Sequence, residues 1–282
     1  MIIFCERGRL GNQLFQYSCL RDLYQGEELL LVGLDELSDF VERVDGRTIA
    51  SASLPAWLPV GRLDLALRAL SKLRIIGLVS ESSSQDSYKV TRRRGLFRSF
   101  FLASEVYFQH RDMTDKLAGN FKIKESNLTE AQKWLRAESI SHTGQNLVFV
   151  HVRRGDYFSW PSKEHPAILE LEWYGNAMDM IRSSVEDPTF LVLTDDRDYC
   201  TRAFRGQADV YISPNSSTVD LAIMSLCNSG ILSASTFSWW GAKLSKGNDE
   251  PRGTYLAPKY WAGHDREELY PPGFESSWIT YI

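Results

Sequence analysis

The chain has 282 residues, 43% of them hydrophobic, and a formal net charge of −4. At a soft prior of roughly 150 residues per domain this length divides into two domains with enough apolar side chains for sizeable cores, and the slight negative charge argues against a general grip on nucleic acid. The four cysteines Cys5, Cys19, Cys200 and Cys227 show no CxxC spacing and the five histidines form no HExxH motif, which argues against a disulfide framework or a zinc site and for a reducing compartment.

The opening Met1–Glu6 is too short an apolar run for a signal peptide, and no stretch approaches the ~18 apolar residues of a membrane span, so a cytoplasmic protein is expected. Ile2–Cys5 reads as a first strand. A loop carrying Gly8, Gly11, Asn12 and Gln13 leads from it into a helix to about Gln25, with Phe15, Cys19, Leu20 and Leu23 at helical spacing. This is the start of a Rossmann-like unit, although the loop is not GxGxxG. Its glycines allow close ligand approach, and Asn12 and Gln13 bring amides to the helix start.

Leu29–Val32 reads as a second strand, and residues 33–60 as irregular. Arg62–Leu73 returns to helical spacing through Leu63, Ala66, Leu67, Leu70 and Leu73, a stripe read as core. Ser80–Ser87 reads as a polar loop. Arg92-Arg93-Arg94 reads as a solvated face, with an anionic acceptor or a membrane surface as the alternative. Arg98–His110 is strand-like, and Ser126–Glu138 reads as a helix with Asn127 and Glu130 in capping-box spacing. His142–Gln145 is a polar hinge, which divides the chain into 1–142 and 143–282, with the C-terminal tail packing back on the first domain.

The second half alternates strands and helices, as a parallel sheet requires. Leu147–Val150 is a continuous apolar run, the pattern of a strand covered on both faces, and it delivers His151, Arg153, Arg154 and Asp156 to its carboxyl end. That end is where ligands bind in open α/β sheets. Arginine offers a planar fork of donors that matches phosphate oxygens. Arg154-Gly155-Asp156 also spells an adhesion tripeptide, but a buried strand just before it is a poor mount for an exposed loop tip. A helix follows over about Leu171–Ser184, then a strand Phe190–Leu193 ending in Asp195 and Asp196. Those carboxylates suit guanine, ribose hydroxyls or a divalent metal on a diphosphate, or Asp196 simply caps the next helix. Further on, Gly230–Ser233 runs into Ser235, Thr236 and Phe237 at a helix opening, a ready phosphate site. Trp239 and Trp240 there read as core rather than as a sugar-binding wall. The three clusters together describe a nucleotide-diphosphate site.

GRLGNQLFQY at Gly8–Tyr17, HVRRGDY at His151–Tyr157, LVLTDD at Leu191–Asp196 and MSLCNSGILSASTFSWWGAKL at Met224–Leu244 resemble, in this order, glycosyltransferase family 11, the α-1,2-fucosyltransferases. The resemblance implies an α/β fold of two Rossmann-like domains facing across a cleft (GT-B type), the first on the acceptor side and the second binding GDP-fucose. It implies inverting transfer of L-fucose from GDP-β-L-fucose to the 2-hydroxyl of a terminal galactose, with no essential metal. By the same resemblance Arg153 grips the β-phosphate with Arg154 second, His151 lies by the nucleotide, and Asp195 or Asp196 reads guanine or ribose. Ser235, Thr236 and Phe237 line the diphosphate, Gly11 counts with the donor-binding residues, and Asn12, in the glycine loop facing the cleft, counts with Arg153 and Asp156 as catalytic. Asp156 is the nearest carboxylate to the arginines and Glu6 a second candidate base. Animal members carry a membrane anchor ahead of the first motif; here the motif lies almost at Met1. A bacterial enzyme is therefore expected, acting on a glycan or lipid-linked oligosaccharide at the cytoplasmic membrane face. A metal-dependent glycosyltransferase of other specificity and a non-catalytic glycan-binding module are the alternatives.

Overall fold

The computed structural model describes residues 1–282 except 85, 115, 118–120, 141–145, 248–252, 262–266, 268–270 and 272. The chain folds as two compact units, Met1–Lys124 and Glu125–Ile282, each with its own six-stranded sheet.

In the first unit, β1 (Ile2–Cys5), α1 (Leu10–Leu23) and β2 (Leu29–Val32) follow the hydrophobic periodicity of the sequence, and Phe15, Cys19 and Leu20 are buried. The segment read as irregular holds α2 (Asp35–Phe40) and β3 (Arg47–Ile49), both too short to show a period. α3 (Val60–Lys72) forms as expected, but its stripe is not core throughout. Leu63 and Leu67 are half-buried, whereas Ala66, Leu70 and Leu73 are exposed.

β4 (Ile76–Ser83), β5 (Tyr88–Arg93), β6 (Phe97–Ala103) and α4 (Arg111–Thr114) complete the unit. Ser80–Ser87 is accordingly no free loop. Ser80–Ser83 extends β4 and pairs with antiparallel β5, with Ser80 and Thr91 hydroxyls 3.0 Å apart. The sheet runs β3-β2-β1-β6-β4-β5, parallel except for that last pair.

The second unit opens with α5 (Glu125–Ala137), so the division falls ahead of the expected boundary near 142, and the hinge His142–Gln145 lies outside the described residues. Because α5 starts at Glu125, Asn127 sits inside the first turn rather than at a cap, and the capping-box reading fails. Then come β7 (Asn146–Val152), α6 (Leu171–Ser184), β8 (Pro188–Thr194), α7 (Arg197–Ala203), β9 (Val210–Ile212), α8 (Ser217–Ser225), β10 (Ser229–Ile231), α9 (Thr236–Lys246), β11 (Tyr255–Ala257) and β12 (Thr280–Tyr281).

This sheet is parallel throughout, in the order β12-β11-β10-β7-β8-β9. β7 lies inside it with Leu147–Val150 fully buried, which is why its sequence is continuously apolar rather than alternating. The C-terminal tail supplies β12 alongside β11.

From β7 the chain builds outward through β8 and β9 on one side and then through β10, β11 and β12 on the other. The reversal lies between β7 and β10, the point at which loops beyond adjacent carboxyl ends diverge in open α/β sheets. The first sheet reverses likewise between β1 and β6.

Candidate active site

His151, the next-to-last residue of β7, is buried, with Nδ1 2.7 Å from the Ser233 hydroxyl just beyond β10 and its ring 5.2 Å from that of Phe237. Burial first, and then the charge of Arg153, push its pKa down to about 3, so the imidazole is neutral and has one donor and one acceptor nitrogen. It spans the reversal point between the two strands.

Arg153 is the first residue past β7. Its Nε and Nη2 donate to Asp156 Oδ1 at 3.0 and 2.6 Å, and its Nη1 lies 3.0 Å from Asp195 Oδ2. Asp195 Oδ1 accepts the Arg154 backbone N–H at 2.8 Å. A Cβ on Gly155 would lie 2.6 Å from Asp195 Oδ2, so glycine is what lets the β8 carboxylate come this close. Arg154 Nε reaches Asp196 Oδ2 at 3.2 Å, and its guanidinium carbon sits 3.4 Å from the centroid of the Tyr199 ring. Asp196 Oδ1 caps α7 by accepting the Tyr199 N–H at 3.1 Å, so its capping role and its ion pair coexist. Arg154 is thus folded back into the unit, not displayed as an adhesion tripeptide would require.

These contacts correct the charge expected at this rim. Two guanidinium groups face the three carboxylates of Asp156, Asp195 and Asp196, so the strand end is not a free positive pole. An entering phosphate has to share or replace a carboxylate. Asp156 is the exchangeable one: its side chain is 62% exposed, against 17% for Arg153, and among the described residues no backbone amide holds it as one holds Asp195.

The opening of α9 is tied to the same place. Tyr157 donates its hydroxyl to the Ala234 carbonyl, and burial pushes that hydroxyl's pKa up. Ser235 caps the helix by accepting the Phe237 N–H at 3.3 Å, and Ser238 Oγ donates to the Ser233 and Ser235 carbonyls. Thr236 and Phe237, in the first turn, are half-buried. Trp239 and Trp240 are fully buried, and Trp239 Nε1 donates to Ser276 Oγ at 2.9 Å, so they are core and not a wall for a sugar. The ends of β7, β8 and β10 therefore gather His151, Arg153, Arg154, Asp156, Asp195, Asp196, Ser235, Thr236 and Phe237 on one rim.

Gly11 and Asn12 belong to the first unit. Neither is in the loop: α1 already starts at Leu10, Gly11 is buried in its first turn, and the residue with loop backbone is Gly8 at φ +76°. A Cβ on Gly8 would lie 2.3 Å from Asn12 Nδ2, so this glycine makes room for that amide. Asn12 Oδ1 accepts from Gln109 Nε2 at 2.8 Å, and the Leu10 N–H donates to Glu36 Oε2 at 2.8 Å. Burial, with Asp35 and Glu36 nearby, raises the pKa of Glu6. This group lies at the reversal point of the first sheet.

Ser233, Tyr157, Tyr199 and Asp220 join the site or its support without any spacing in the sequence that marks them out. Asp220, on α8, is buried and accepts from Ser213 Oγ at 2.5 Å. Its signal was a lone acid among apolar residues in STVDLAIMS. Burial raises its pKa from 3.8 to about 7, with the Ser213 hydrogen bond acting the other way. The unfolded chain gives up this proton at lower pH, so the stabilisation is complete below the usual aspartate value and fades as pH rises through about 7. His151 acts with the opposite sign, fading as pH falls from 6.5 toward 3, so a variant is needed to isolate Asp220. The melting temperature of wild type relative to Asp220→Asn is expected to fall as pH is raised from 4 to 7; a constant difference would contradict the shift.

The profile described as Glycosyl transferase family 11 matches residues 65–281. The chain belongs to this family. It is 30% identical over 189 residues to the O-antigen biosynthesis glycosyltransferase WbnK of Escherichia coli, covering 64% of this chain and 59% of that protein. It is 28% identical over 255 residues to the human galactoside alpha-(1,2)-fucosyltransferase 1, covering 86% of this chain and 64% of that one. The chain thus spans about six tenths of these relatives.

Among solved structures, the NodZ alpha-1,6-fucosyltransferase co-crystallized with GDP superposes with a TM-score of 0.54 at 14% identity, covering 89% of this chain and 95% of that one. POFUT1 in complex with GDP superposes with a TM-score of 0.51 at 12% identity, covering 91% and 97%. These likenesses show the α/β fold, of the GT-B type expected for family 11. Among the described residues no helix is long and apolar enough to cross a membrane.

Proposed function

We propose that the chain transfers L-fucose from GDP-β-L-fucose to the 2-hydroxyl of a terminal galactose, with inversion, on a glycan or lipid-linked oligosaccharide. The observation that carries this reading is the position of Arg153: first residue past a buried strand, at the sheet's reversal point, on the same rim as the opening of α9. Family membership and the likeness to the human galactoside alpha-(1,2)-fucosyltransferase support the sugar and the linkage; the likeness to WbnK, a glycosyltransferase of O-antigen biosynthesis, supports a bacterial oligosaccharide as acceptor.

In the reaction the acceptor oxygen attacks the fucose C1 while the bond from C1 to the β-phosphate oxygen breaks, and GDP carries away the electron pair. Arg153 meets the β-phosphate by exchanging Asp156 for it, and the first turn of α9 faces the pyrophosphate with its positive end. Asp195 holds Arg153 and the Arg154 backbone in place rather than reading guanine. Neutral His151 offers a hydrogen bond beside the nucleotide, and Arg154, stacked on Tyr199, is the second cation. The acceptor's proton goes to the Asp156 carboxylate once that group is released from Arg153. The first unit, with Gly11 and Asn12, takes the acceptor side.

Incubation with GDP-fucose and a panel of β-galactosides, with the linkage read by NMR, tests the function. The expected product is an α-1,2-fucoside, formed at an unchanged rate in chelator because guanidinium and helix carry the leaving charge. A different linkage or sugar donor would overturn the assignment. Loss of turnover in chelator with recovery on adding Mn²⁺ would favour the metal-dependent alternative, and no transfer to any acceptor the binding module.

A further inference from the structure

The run Arg92-Arg93-Arg94 is not one solvated face. Arg92 pairs with Glu27 and lies over the Phe101 ring, and Arg93 donates to the Ser71 carbonyl. These two are structural, and charged side chains on an edge strand such as β5 also guard it against pairing with another sheet. That explanation does not extend to what surrounds them.

The Leu96 and Phe97 N–H groups donate to the Arg74 and Ile75 carbonyls at 2.7 and 2.9 Å. The turn between β5 and β6 is thereby fixed against the turn between α3 and β4. A Cβ on Gly95 would lie 2.3 Å from the Ile76 carbonyl carbon, so the two turns are in close contact. On this rigid corner Leu73, Leu96 and Phe97 are 72%, 76% and 56% exposed, and Leu70 adjoins them on the last turn of α3. Scattered exposed apolar side chains are ordinary, but four together on adjoining turns are not.

Glu27 nearby is engaged by Arg92 and by the Met1 amine, and among the described residues the charge left around the corner without an opposite partner is of one sign. Lys72, Arg74, Arg94 and Arg98 are exposed, and among the described residues none has a carboxylate partner. Arg74 keeps its place at φ +58°, a backbone conformation that glycine or asparagine would take more readily. No acidic residue occurs in 72–80 or 88–104.

We infer that this corner is a docking surface for an anionic phospholipid bilayer, with Leu73, Leu96 and Phe97 entering the headgroup layer and the four cations meeting lipid phosphates. Charge complementarity selects this occupant: a second copy would bring the same cations against themselves, whereas apolar side chains ringed by Lys and Arg are the composition that binds anionic interfaces. The corner lies at the amino ends of β4 and β6. β6 is seven residues long, so the opposite rim, with Asn12 and Glu6, stands roughly 20 Å away at about 3.3 Å per residue. Docking leaves that rim uncovered. The inference does not depend on fucosyl transfer, because its readout uses no donor sugar.

The test is cosedimentation of the full chain with vesicles of phosphatidylcholine alone or with about a third phosphatidylglycerol. Binding is expected only to the anionic vesicles and is expected to fall with added salt. Arg94→Glu/Arg98→Glu should weaken it about tenfold or more, and Leu96→Glu/Phe97→Glu should abolish it, both with unchanged melting temperature because the side chains are exposed. Equal sedimentation with both vesicle types, or unaltered binding by both double variants, would overturn it. So would a lipid-free dimer that Leu96→Glu/Phe97→Glu converts to monomer, since the corner would then be an interface between copies.

Discussion

Arg153→Ala is expected to lower kcat by roughly 10²–10³, the scale seen when a group that stabilises developing negative charge is removed. The leaving group is a diphosphate whose charge grows as the C1–O bond breaks, and Arg153 is the cation at the reversal point able to meet it. Its loss leaves Asp195 still bonded to the Arg154 N–H and leaves Asp156 in solvent, so neither carboxylate is left buried without a partner or water. Lysine restores the charge but not the fork, so Arg153→Lys should recover only part of the rate. Turnover near wild type in Arg153→Ala, measured at saturating GDP-fucose, would contradict the assignment.

Trp239→Ala is expected to destabilise the second unit by ~3–5 kcal/mol, the usual range for truncating a buried tryptophan. Its ring is fully buried, packs edge-on against Trp240 with centroids 5.2 Å apart, and ties the C-terminal segment through Ser276. At ~2–4 °C per kcal/mol this corresponds to a fall in Tm of roughly 6–20 °C, readable by circular dichroism. If these tryptophans instead walled a sugar, Tm would hold and KM for GDP-fucose would rise, and that pattern would refute the core reading.

The second unit was legible because it is parallel and covered on both faces. A strand of this kind is written as an unbroken apolar run, and the charges that interrupt it mark the rim, so His151, Arg153, Asp195 and Ser235 could be placed in one neighbourhood without coordinates. What could not be read was who neutralises whom. The approach of Asp195 to Arg153 depends on β7 and β8 being in register and on Gly155 having no Cβ, and neither fact is local to the sequence. The expected positive strand end is therefore a set of ion pairs.

The first unit was less legible because its signals are short or ambiguous. α2 and β3 have too few residues to show a period, and the serines of β4 look like loop because they sit on a hairpin at the sheet's edge. The α3 stripe has the helical spacing of a core face, yet Leu70 and Leu73 are exposed. Gly11 was singled out over Gly8 because a glycine's backbone conformation is not written in its neighbours.

The central claim is that Arg153 releases a carboxylate to take the β-phosphate while the opening turn of α9 faces the same group. A crystal structure with GDP bound tests it most directly. The account predicts a β-phosphate oxygen about 2.7–3.2 Å from the Arg153 guanidinium, the pyrophosphate against Ser235–Phe237, and Asp156 turned away. GDP bound elsewhere, or bound here with Arg153 still closed on both Asp156 and Asp195, would contradict it.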